Sequence, residues 1–214
     1  MAERDPWRIV EDTYAEATAR SYEGLFTLGN GYWHLRGSLE EHLADVPQDT
    51  DPLRRPGNVT AERFAATPAK WGTYVAGIYA RHPTLNREMV NLPWPLALAP
   101  IVDDERLDLR RSRITDYRRE LDLHTATLYR RLRWHTASGA TVAVTFERFL
   151  SADRAQLCVQ RMTLSADRVV TVGVETAIDA RVRTNGYDHF AAVEPSAPAA
   201  DDLACRVQVE DGVV

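Results

Sequence analysis

The chain has 214 residues, of which 44% are hydrophobic and 27% charged, and its net charge is −5 at pH 7. This composition is typical of a globular protein and excludes a disordered or fibrous one. The negative charge argues against a dedicated nucleic-acid-binding protein. No window approaches the roughly 18 apolar residues of a transmembrane helix, and the N-terminus has no apolar signal core. We therefore expect a cytoplasmic protein with neither a membrane nor a nucleic acid as partner.

The two cysteines, Cys158 and Cys205, lie in apolar sequence typical of strands. Because the chain shows no secretion signal, we expect buried free thiols, with a disulfide as the alternative.

The first forty residues predict a strand, a helical turn and a second strand. Residues 7–10 are typical of a short edge strand. Ser21 is placed to cap a helical turn over residues 22–28. A further strand is expected over residues 32–36, and Gly37 is expected to end it.

Prolines interrupt residues 43–70, which predicts a long loop with one helical turn at residues 61–66. Strand patterns become regular after this loop. Strands are expected over residues 73–79, 87–92 and 96–102. The second of them ends at the Pro-Trp-Pro sequence around Trp94, and the third turns at Asp103-Asp104.

Residues 123–135 alternate in polarity, which is typical of a half-buried strand. One face carries Ala126, Leu128, Leu132 and Trp134, and the other carries Thr125, Thr127, Tyr129, Arg131, Arg133 and His135. Ser138-Gly139 predicts a hairpin turn into a strand over residues 141–150. Further strands are expected over residues 157–164, 169–178 and 205–209. The fold class predicted is all-β, a large antiparallel two-sheet β-sandwich (a supersandwich) with one or two short helical turns.

Glycosidases use carboxylates in pairs, and carboxylates are frequent just after residue 102. The candidates are Asp103, Asp104, Glu105, Asp108, Asp116, Glu120 and Asp122. A catalytic pair needs two carboxyl groups at a fixed separation across a sugar bond. Spacing along strands does not establish that separation, so we interpret these residues as solvated turn and edge charges. The six histidines do not cluster as metal ligands, and no phosphate-binding glycine motif or nucleophile elbow is present.

Residues 106–133 contain nine arginines against four acids, a local charge of +5 in a chain of −5. The favoured interpretation is a solvated strand face paired with the acidic first fifty residues. A surface that contacts phosphate or a partner is the alternative. Among the tryptophans, Trp134 is expected in the core, while Trp94 is expected either to plug a loop against a neighbouring domain or to line a cleft.

Several motifs occur together in one order along the chain. The sequence LFTLGNGYWHLRG at residues 25–37, followed by Glu40-Glu41, resembles the opening signature of glycoside hydrolase family 65. GTYVAGIY, MVNLP, ITDYRRELDL and ERFLS then follow at residues 72–79, 89–93, 114–123 and 147–151, and resemble later segments of the same family. Ile178-Asp179 with Asn185 is similar to its last sandwich motif.

The resemblance covers only the family's N-terminal β-sandwich, and it implies that residues 1–214 form that domain. The family includes maltose, trehalose and kojibiose phosphorylases and some acid trehalases. Their catalysis is implied to lie in a downstream (α/α)6 barrel with a Glu general acid, which this chain lacks. No catalytic residue, metal or cofactor is therefore expected in this chain, and we expect it to be inactive alone. For a phosphorylase, inorganic phosphate is implied as the co-substrate that attacks the anomeric carbon.

The same resemblance implies that the sandwich packs on the barrel and shapes one wall of the sugar cleft. Five residues are candidates for the cleft or the interdomain contact: Trp33, Arg36, Trp94, Arg118 and Arg119. The implied partners are the downstream (α/α)6 catalytic domain, an α-linked disaccharide and, as an open alternative, a second copy in a homodimer.

Two other functions remain open at this point. One is a free-standing carbohydrate-binding sandwich that stacks sugars on Trp and Tyr, and the other is an assembly module without a ligand. The Asp211-Gly212 turn signal, followed by only two residues, predicts a chain truncated at its C-terminal end. These residues do not decide between a phosphorylase and a hydrolase.

Overall fold

The computed structural model describes residues 5–41, 72–82, 86–184 and 189–209. Over these residues the chain forms one helix, α1 (Glu16–Leu25), and fifteen strands. The strands are β1 (Arg8–Glu11), β2 (Leu28–Gly29), β3 (Trp33–Leu35), β4 (Thr73–Val75), β5 (Tyr79–His82), β6 (Asn86–Met89), β7 (Trp94–Val102), β8 (Glu105–Arg106), β9 (Arg113–Asp122), β10 (Thr127–His135), β11 (Thr141–Leu150), β12 (Cys158–Ala166), β13 (Val172–Asp179), β14 (Phe190–Ser196) and β15 (Ala204–Val209). The prediction of an all-β, antiparallel sandwich with little helix is confirmed. The predicted loop over residues 43–70 and its helical turn lie outside the described residues.

The chain divides into two compact units. Among the described residues, the first unit contains residues 5–41 and 98–176. The second contains residues 72–82, 86–97, 177–184 and 189–209.

The first unit is built on a five-stranded sheet in the order β1-β9-β10-β11-β12. All of its neighbouring pairs are antiparallel. β1 lies at one edge, as predicted for residues 7–10. β10 and β11 pair from Thr127↔Phe149 to His135↔Thr141, and the predicted bounds of β11 are confirmed. Gly139, at φ 85°, supplies the left-handed backbone that the connecting turn requires.

The core of this unit lies on the inward face of the sheet. Its largest side chain is Trp134, which is fully buried as predicted. Leu132, Val144 and Phe146 surround it on β10 and β11. The predicted strand over residues 123–135 starts too early, because residues 123–126 form a turn. In that turn Asp122 Oδ1 accepts hydrogen bonds from the backbone N–H groups of His124 and Thr125, at 2.9 and 3.2 Å.

A β-bulge in β9 lets its residues on both sides of the bulge face the core. The pairing with β10 shifts opposite Arg131 and Arg133, and Asp116 adopts a φ of 53°. Thr115 and Asp116 are both exposed, whereas Ile114 and Tyr117 both pack against the core. Without the bulge, strict alternation would place Ile114 and Tyr117, three positions apart, on opposite faces.

Helix α1 corrects the prediction of a helical turn capped by Ser21. The helix begins at Glu16 after Ala15, which makes no side-chain capping bond, and it ends at Leu25. The acidic Glu16 in the first turn suits the positive end of the helix dipole. Leu28, predicted to be helical, lies in β2, where it pairs with Leu35 of β3. A second small core forms from Phe26, Leu28, Leu121 and Leu128, and Tyr22 of the helix packs against it.

The second unit corrects two predicted strands. The strand expected over residues 73–79 is broken into β4 and β5, because Gly77 adopts a φ of 95° between them. Trp94 does not end a strand but begins β7, and it is fully buried. The β14 strand was not predicted; it pairs with β15 in a two-stranded sheet.

The MVNLP segment of this unit has a structural role. Asn91 Oδ1 accepts a 2.9 Å hydrogen bond from the backbone N–H of Thr73. The backbone N–H of Asn91 donates to Thr184 Oγ1 at 2.8 Å, and its side-chain amide donates to the carbonyl of Arg183 at 3.2 Å. Asn91 thereby ties three separate backbone segments together.

Both cysteines are free thiols, as predicted, but they are only half-buried. Burial raises the pKa of the Cys158 thiol to about 11. Within the described ranges, the chain's helical segment is too short and too polar to cross a membrane.

Candidate functional site

Five charged side chains meet inside the first unit: Glu40, Glu41, Arg119, Arg130 and Arg148. We call this group the buried charge cluster. Arg130 donates from its two terminal nitrogens to the two carboxylate oxygens of Glu41, with Nη1 at 2.7 Å from Oε1. Arg130 Nη2 also lies 2.6 Å from Glu40 Oε2, and Arg148 forms an ion pair with the other oxygen of Glu40. All five residues are at most 2% exposed.

The three arginines hold one backbone segment, residues 37–41, against the sheet. Arg119 donates to the carbonyl of Gly37, and Arg148 donates to the carbonyl of Ser38 at 3.1 Å. Two of the guanidinium groups also cover aromatic rings: Arg119 lies 4.6 Å from the Phe26 ring centroid, and Arg130 lies 4.3 Å from that of Phe146. Buried charges are tolerated only when they are paired and hydrogen-bonded. The Glu40-Glu41 pair of the sequence motif is therefore a structural anchor for this segment.

Sequence reasoning missed this cluster, although a signal was present. Arg130 falls at the same alternating position as Leu128 and Leu132, on the face assigned to the core. In the same way, Arg148 lies on the inward face of β11 together with Phe146. An arginine at an inward-facing position requires a buried acid, and Glu40-Glu41 supplies it.

The protonation of the buried carboxylates does not suit an acid catalyst. Burial alone would raise the pKa of Glu40, but Arg130, Arg148 and Arg119 lower it to about 2. Burial raises the pKa of Glu11, against the hydrogen bond that the Tyr117 hydroxyl donates to it at 2.9 Å. A raised carboxyl pKa is a feature of general acids, but Glu11 is only 2% exposed. Within the described part of the chain, the Glu11 carboxyl is thus enclosed by protein rather than open to a substrate.

Two arginines of residues 106–133, Arg110 before β9 and Arg118 on it, pair with acids near the N-terminus. Arg118 lies 2.7 Å from both Asp12 and Glu120, and Arg8 lies 2.8 Å from Glu120. Arg110 forms an ion pair with Glu16 at 3.0 Å. The favoured interpretation, a strand face paired with the acidic N-terminal residues, is confirmed for Arg118 and Arg110. It is wrong for Arg119 and Arg130, which belong to the core.

The turn between β2 and β3 is tied to the loop over residues 151–157. Asn30 donates through its side-chain amide to the carbonyls of Ser151 and Ala155, at 2.7 and 3.0 Å. Its Oδ1 accepts from the backbone N–H groups of Tyr32 and Trp33 at 3.1 and 2.8 Å. The indole N–H of Trp33 donates to the carbonyl of Gln156 at 2.9 Å. Five hydrogen bonds thus position this motif turn, which we call the Asn30 turn.

The five residues predicted for a cleft or an interdomain contact occupy different environments. Trp33 is half-buried in the Asn30 turn, and Arg36 pairs with Glu23 at 3.2 Å. Trp94 is fully buried in the second unit. The Arg118 side chain is 39% exposed, whereas Arg119 lies in the buried charge cluster. Their predicted role toward a substrate or a further domain stays a prediction. Within the described part of the chain, no group of three or more His, Cys, Asp or Glu side chains is placed to hold a metal ion.

Comparisons with known proteins agree with this architecture. The kojibiose phosphorylases of Halothermothrix orenii and Escherichia coli are 26% and 29% identical to the chain; each alignment covers 86% of this chain and 21% of the relative. An uncharacterised glycosyl hydrolase of Mycobacterium tuberculosis is 30% identical over 87% of this chain and 13% of that protein. The chain therefore spans about a fifth or less of the length of these relatives.

A solved structure of a human-microbiome protein assigned as a kojibiose phosphorylase superimposes with a TM-score of 0.75 at 22% identity. The superposition covers 97% of this chain and 26% of the solved chain, and it shows the same fold. The family model described as glycosyl hydrolase family 65, N-terminal domain, matches residues 9–210. Since this match extends over nearly the whole sequence, the chain belongs to the glycosyl hydrolase family 65 N-terminal domain family.

Proposed function

We propose that this chain is the non-catalytic N-terminal module of a longer family 65 enzyme that acts on α-linked glucosides such as kojibiose, maltose or trehalose. One observation carries the proposal: the family match spans residues 9–210, while the matched kojibiose phosphorylases are about five times longer than the aligned segment. The module supports a downstream (α/α)6 catalytic domain and shapes one wall of its sugar cleft.

The state of the acidic side chains supports a non-catalytic role. Among the described residues, each buried carboxylate contacts an arginine, a tyrosine hydroxyl or a histidine ring: Glu11 with Tyr117, Glu40 and Glu41 with Arg130, Glu88 with His189, Glu120 with Arg8, and Asp179 with Arg181. Catalytic glycosidase carboxylates must reach the scissile bond from opposite sides. The buried carboxylates of this chain are instead used to hold its own strands and loops.

Inorganic phosphate is the co-substrate of the whole enzyme if that enzyme is a phosphorylase. Phosphate is itself the nucleophile that attacks the anomeric carbon, so a single protein acid for the leaving oxygen is sufficient. We place that acid in the downstream domain. We place the contact with this domain at exposed residues such as Arg118, with a homodimer as a second level of assembly.

The test compares the longer polypeptide with the 214-residue chain. Both are incubated with kojibiose, maltose or trehalose, with and without inorganic phosphate, and the glucose and glucose 1-phosphate released are measured. We expect the longer polypeptide to cleave at least one of these sugars. Phosphate-dependent release of glucose 1-phosphate identifies a phosphorylase, and phosphate-independent release of glucose identifies a hydrolase. A longer polypeptide that cleaves none of the three would contradict the proposed substrate class.

A further inference from the structure

The LGNGYWHLRG motif contains two aromatic residues that the fold does not use for its core. Leu28 and Leu35 of this motif are core residues. Asn30 clamps two backbone carbonyls, and Gly37 lies so close to Phe26 that a Cβ would be 2.5 Å from the Phe26 Cβ. Tyr32, in contrast, is 36% exposed and Trp33 is half-buried. Neither of them belongs to the two hydrophobic core clusters described above.

The two rings are held in a defined arrangement. The Trp33 indole is fixed by its hydrogen bond to the carbonyl of Gln156. Tyr32 meets it edge-on, with ring centroids 5.8 Å apart and planes at 83°. Both backbone N–H groups are held by Asn30, and Gly31 at φ 87° allows the tight turn before them. Rings that are already ordered lose little conformational entropy when a ligand stacks on them.

Polar side chains lie in the loop that carries the partner atoms of this turn. Asp153, Arg154 and Gln156 are all exposed in the loop over residues 151–157. The backbone N–H of Arg154 donates to Ser151 Oγ at 2.9 Å, which orders the loop locally. Carboxylate, guanidinium and amide groups together offer both donors and acceptors for the hydroxyl groups of a sugar.

We propose that the Asn30 turn and the loop over residues 151–157 form a glucoside-binding surface, on which an apolar face of one pyranose ring stacks against Trp33 and the perpendicular Tyr32 ring contacts the edge of the sugar. Two partly exposed rings offer at most a few hundred Å². That area is well below the roughly 1,000 Å² of a specific protein interface, but it suits a single sugar ring. The choice of a glucoside rests on the proposed function, while the surface itself rests on the geometry of this chain.

The test titrates the 214-residue chain with kojibiose, maltose and mannitol and follows heat or NMR shifts. We expect saturable, millimolar binding of at least one disaccharide and none of mannitol, an acyclic polyol that has no pyranose face. Trp33→Ala should weaken binding at least tenfold, and Tyr32→Ala should weaken it several-fold. Trp7→Ala is the matched control, because Trp7 is 50% exposed but contacts the His124 ring at the β1 edge of the sheet, whereas the loop over residues 151–157 joins β11 and β12 at the opposite edge.

Folding of each variant is checked by its circular dichroism and melting temperature. If Trp33→Ala does not fold, Trp33→Phe and Arg154→Ala replace it, since each removes only one part of the surface. The proposal is overturned if no disaccharide binds up to tens of millimolar, if mannitol binds equally well, or if the folded variants bind like the parent chain. Such a result leaves turnover by the longer polypeptide untouched, so it is separable from a failure of the proposed function.

Discussion

Arg130 and Glu41 form a bidentate ion pair that is closed to solvent, with each residue about 1% exposed. Removing one partner of such a pair leaves the other charge buried and uncompensated, at a cost of about 3–5 kcal/mol. We expect Arg130→Met to lower the free energy of unfolding by about that amount in urea titrations.

Arg161→Met is the matched control, because the Arg161–Glu147 pair also lies on neighbouring strands but the Arg161 side chain is 68% exposed. An exposed pair contributes about 0–1 kcal/mol. Similar losses in the two variants would show that the buried charge cluster does not anchor the fold.

Acid should weaken the chain through Glu40. Its pKa is lowered in the folded state from 4.5 to about 2, so its stabilisation is fully present above about pH 4.5 and is lost as the pH falls toward 2. We expect the urea midpoint to fall between pH 5 and pH 3, and to fall less steeply in Glu40→Gln. Asp103 and Asp167 also have lowered pKa values, but they are present in both proteins and cancel in the comparison. Parallel pH curves for the two proteins would contradict this assignment.

Position 37 requires a glycine, because its backbone lies too close to Phe26 to leave room for a side chain. A Cβ at this position would lie 2.7 Å from the Phe26 carbonyl oxygen, so the backbone must shift. We expect Gly37→Ala to destabilise by about 1–3 kcal/mol. Gly24→Ala, in helix α1 with no atom within 4 Å of the added Cβ, should instead stabilise by about 0.5–1 kcal/mol. Thermal melts of the two variants measure both effects, and equal shifts would rule out the steric argument.

The bulge residue Asp116 tests how the inward face of β9 is set. Its φ of 53° lies in the left-handed region, where most residues other than glycine lose about 1–2 kcal/mol, Asp is among the exceptions, and a β-branched side chain fits poorly. Asp116→Val should therefore destabilise by that amount or more. Asp116→Gly should be nearly neutral, because it loses only the exposed ion pair with Arg133. Urea titrations that rank the two variants in the opposite order would refute a left-handed bulge at this position.

The parts of the fold that follow local pattern were predictable. β11 and the hairpin turn at Gly139 come directly from alternation and turn chemistry. The start of α1 was not predictable, because Ala15 is a poor capping residue and Ser21, within the helix, is a residue type that often caps one. The break between β4 and β5 was not predictable, because nothing in the sequence other than Gly77 itself indicates the positive φ at that position.

The buried charge cluster shows the limit of pattern reading. The alternation of residues 123–135 is interpreted without Arg130 on either face, because arginine is rarely buried. The acids that pair with Arg130 lie about ninety residues earlier in the chain. The motifs of the family were recognised, but their roles were not. The structure shows that Tyr117, Arg119 and Glu120 of ITDYRRELDL hold strands and loops together through long-range hydrogen bonds.

Turnover by the isolated chain tests the central claim most directly. The 214-residue chain is incubated at high concentration with kojibiose, maltose and trehalose in phosphate buffer, and product is measured by chromatography beside the longer polypeptide. We predict no glucose or glucose 1-phosphate above the protein-free blank, although the chain is folded. Release of either product by the chain alone, at a rate comparable to that of the longer polypeptide, would contradict the claim that catalysis lies outside this domain.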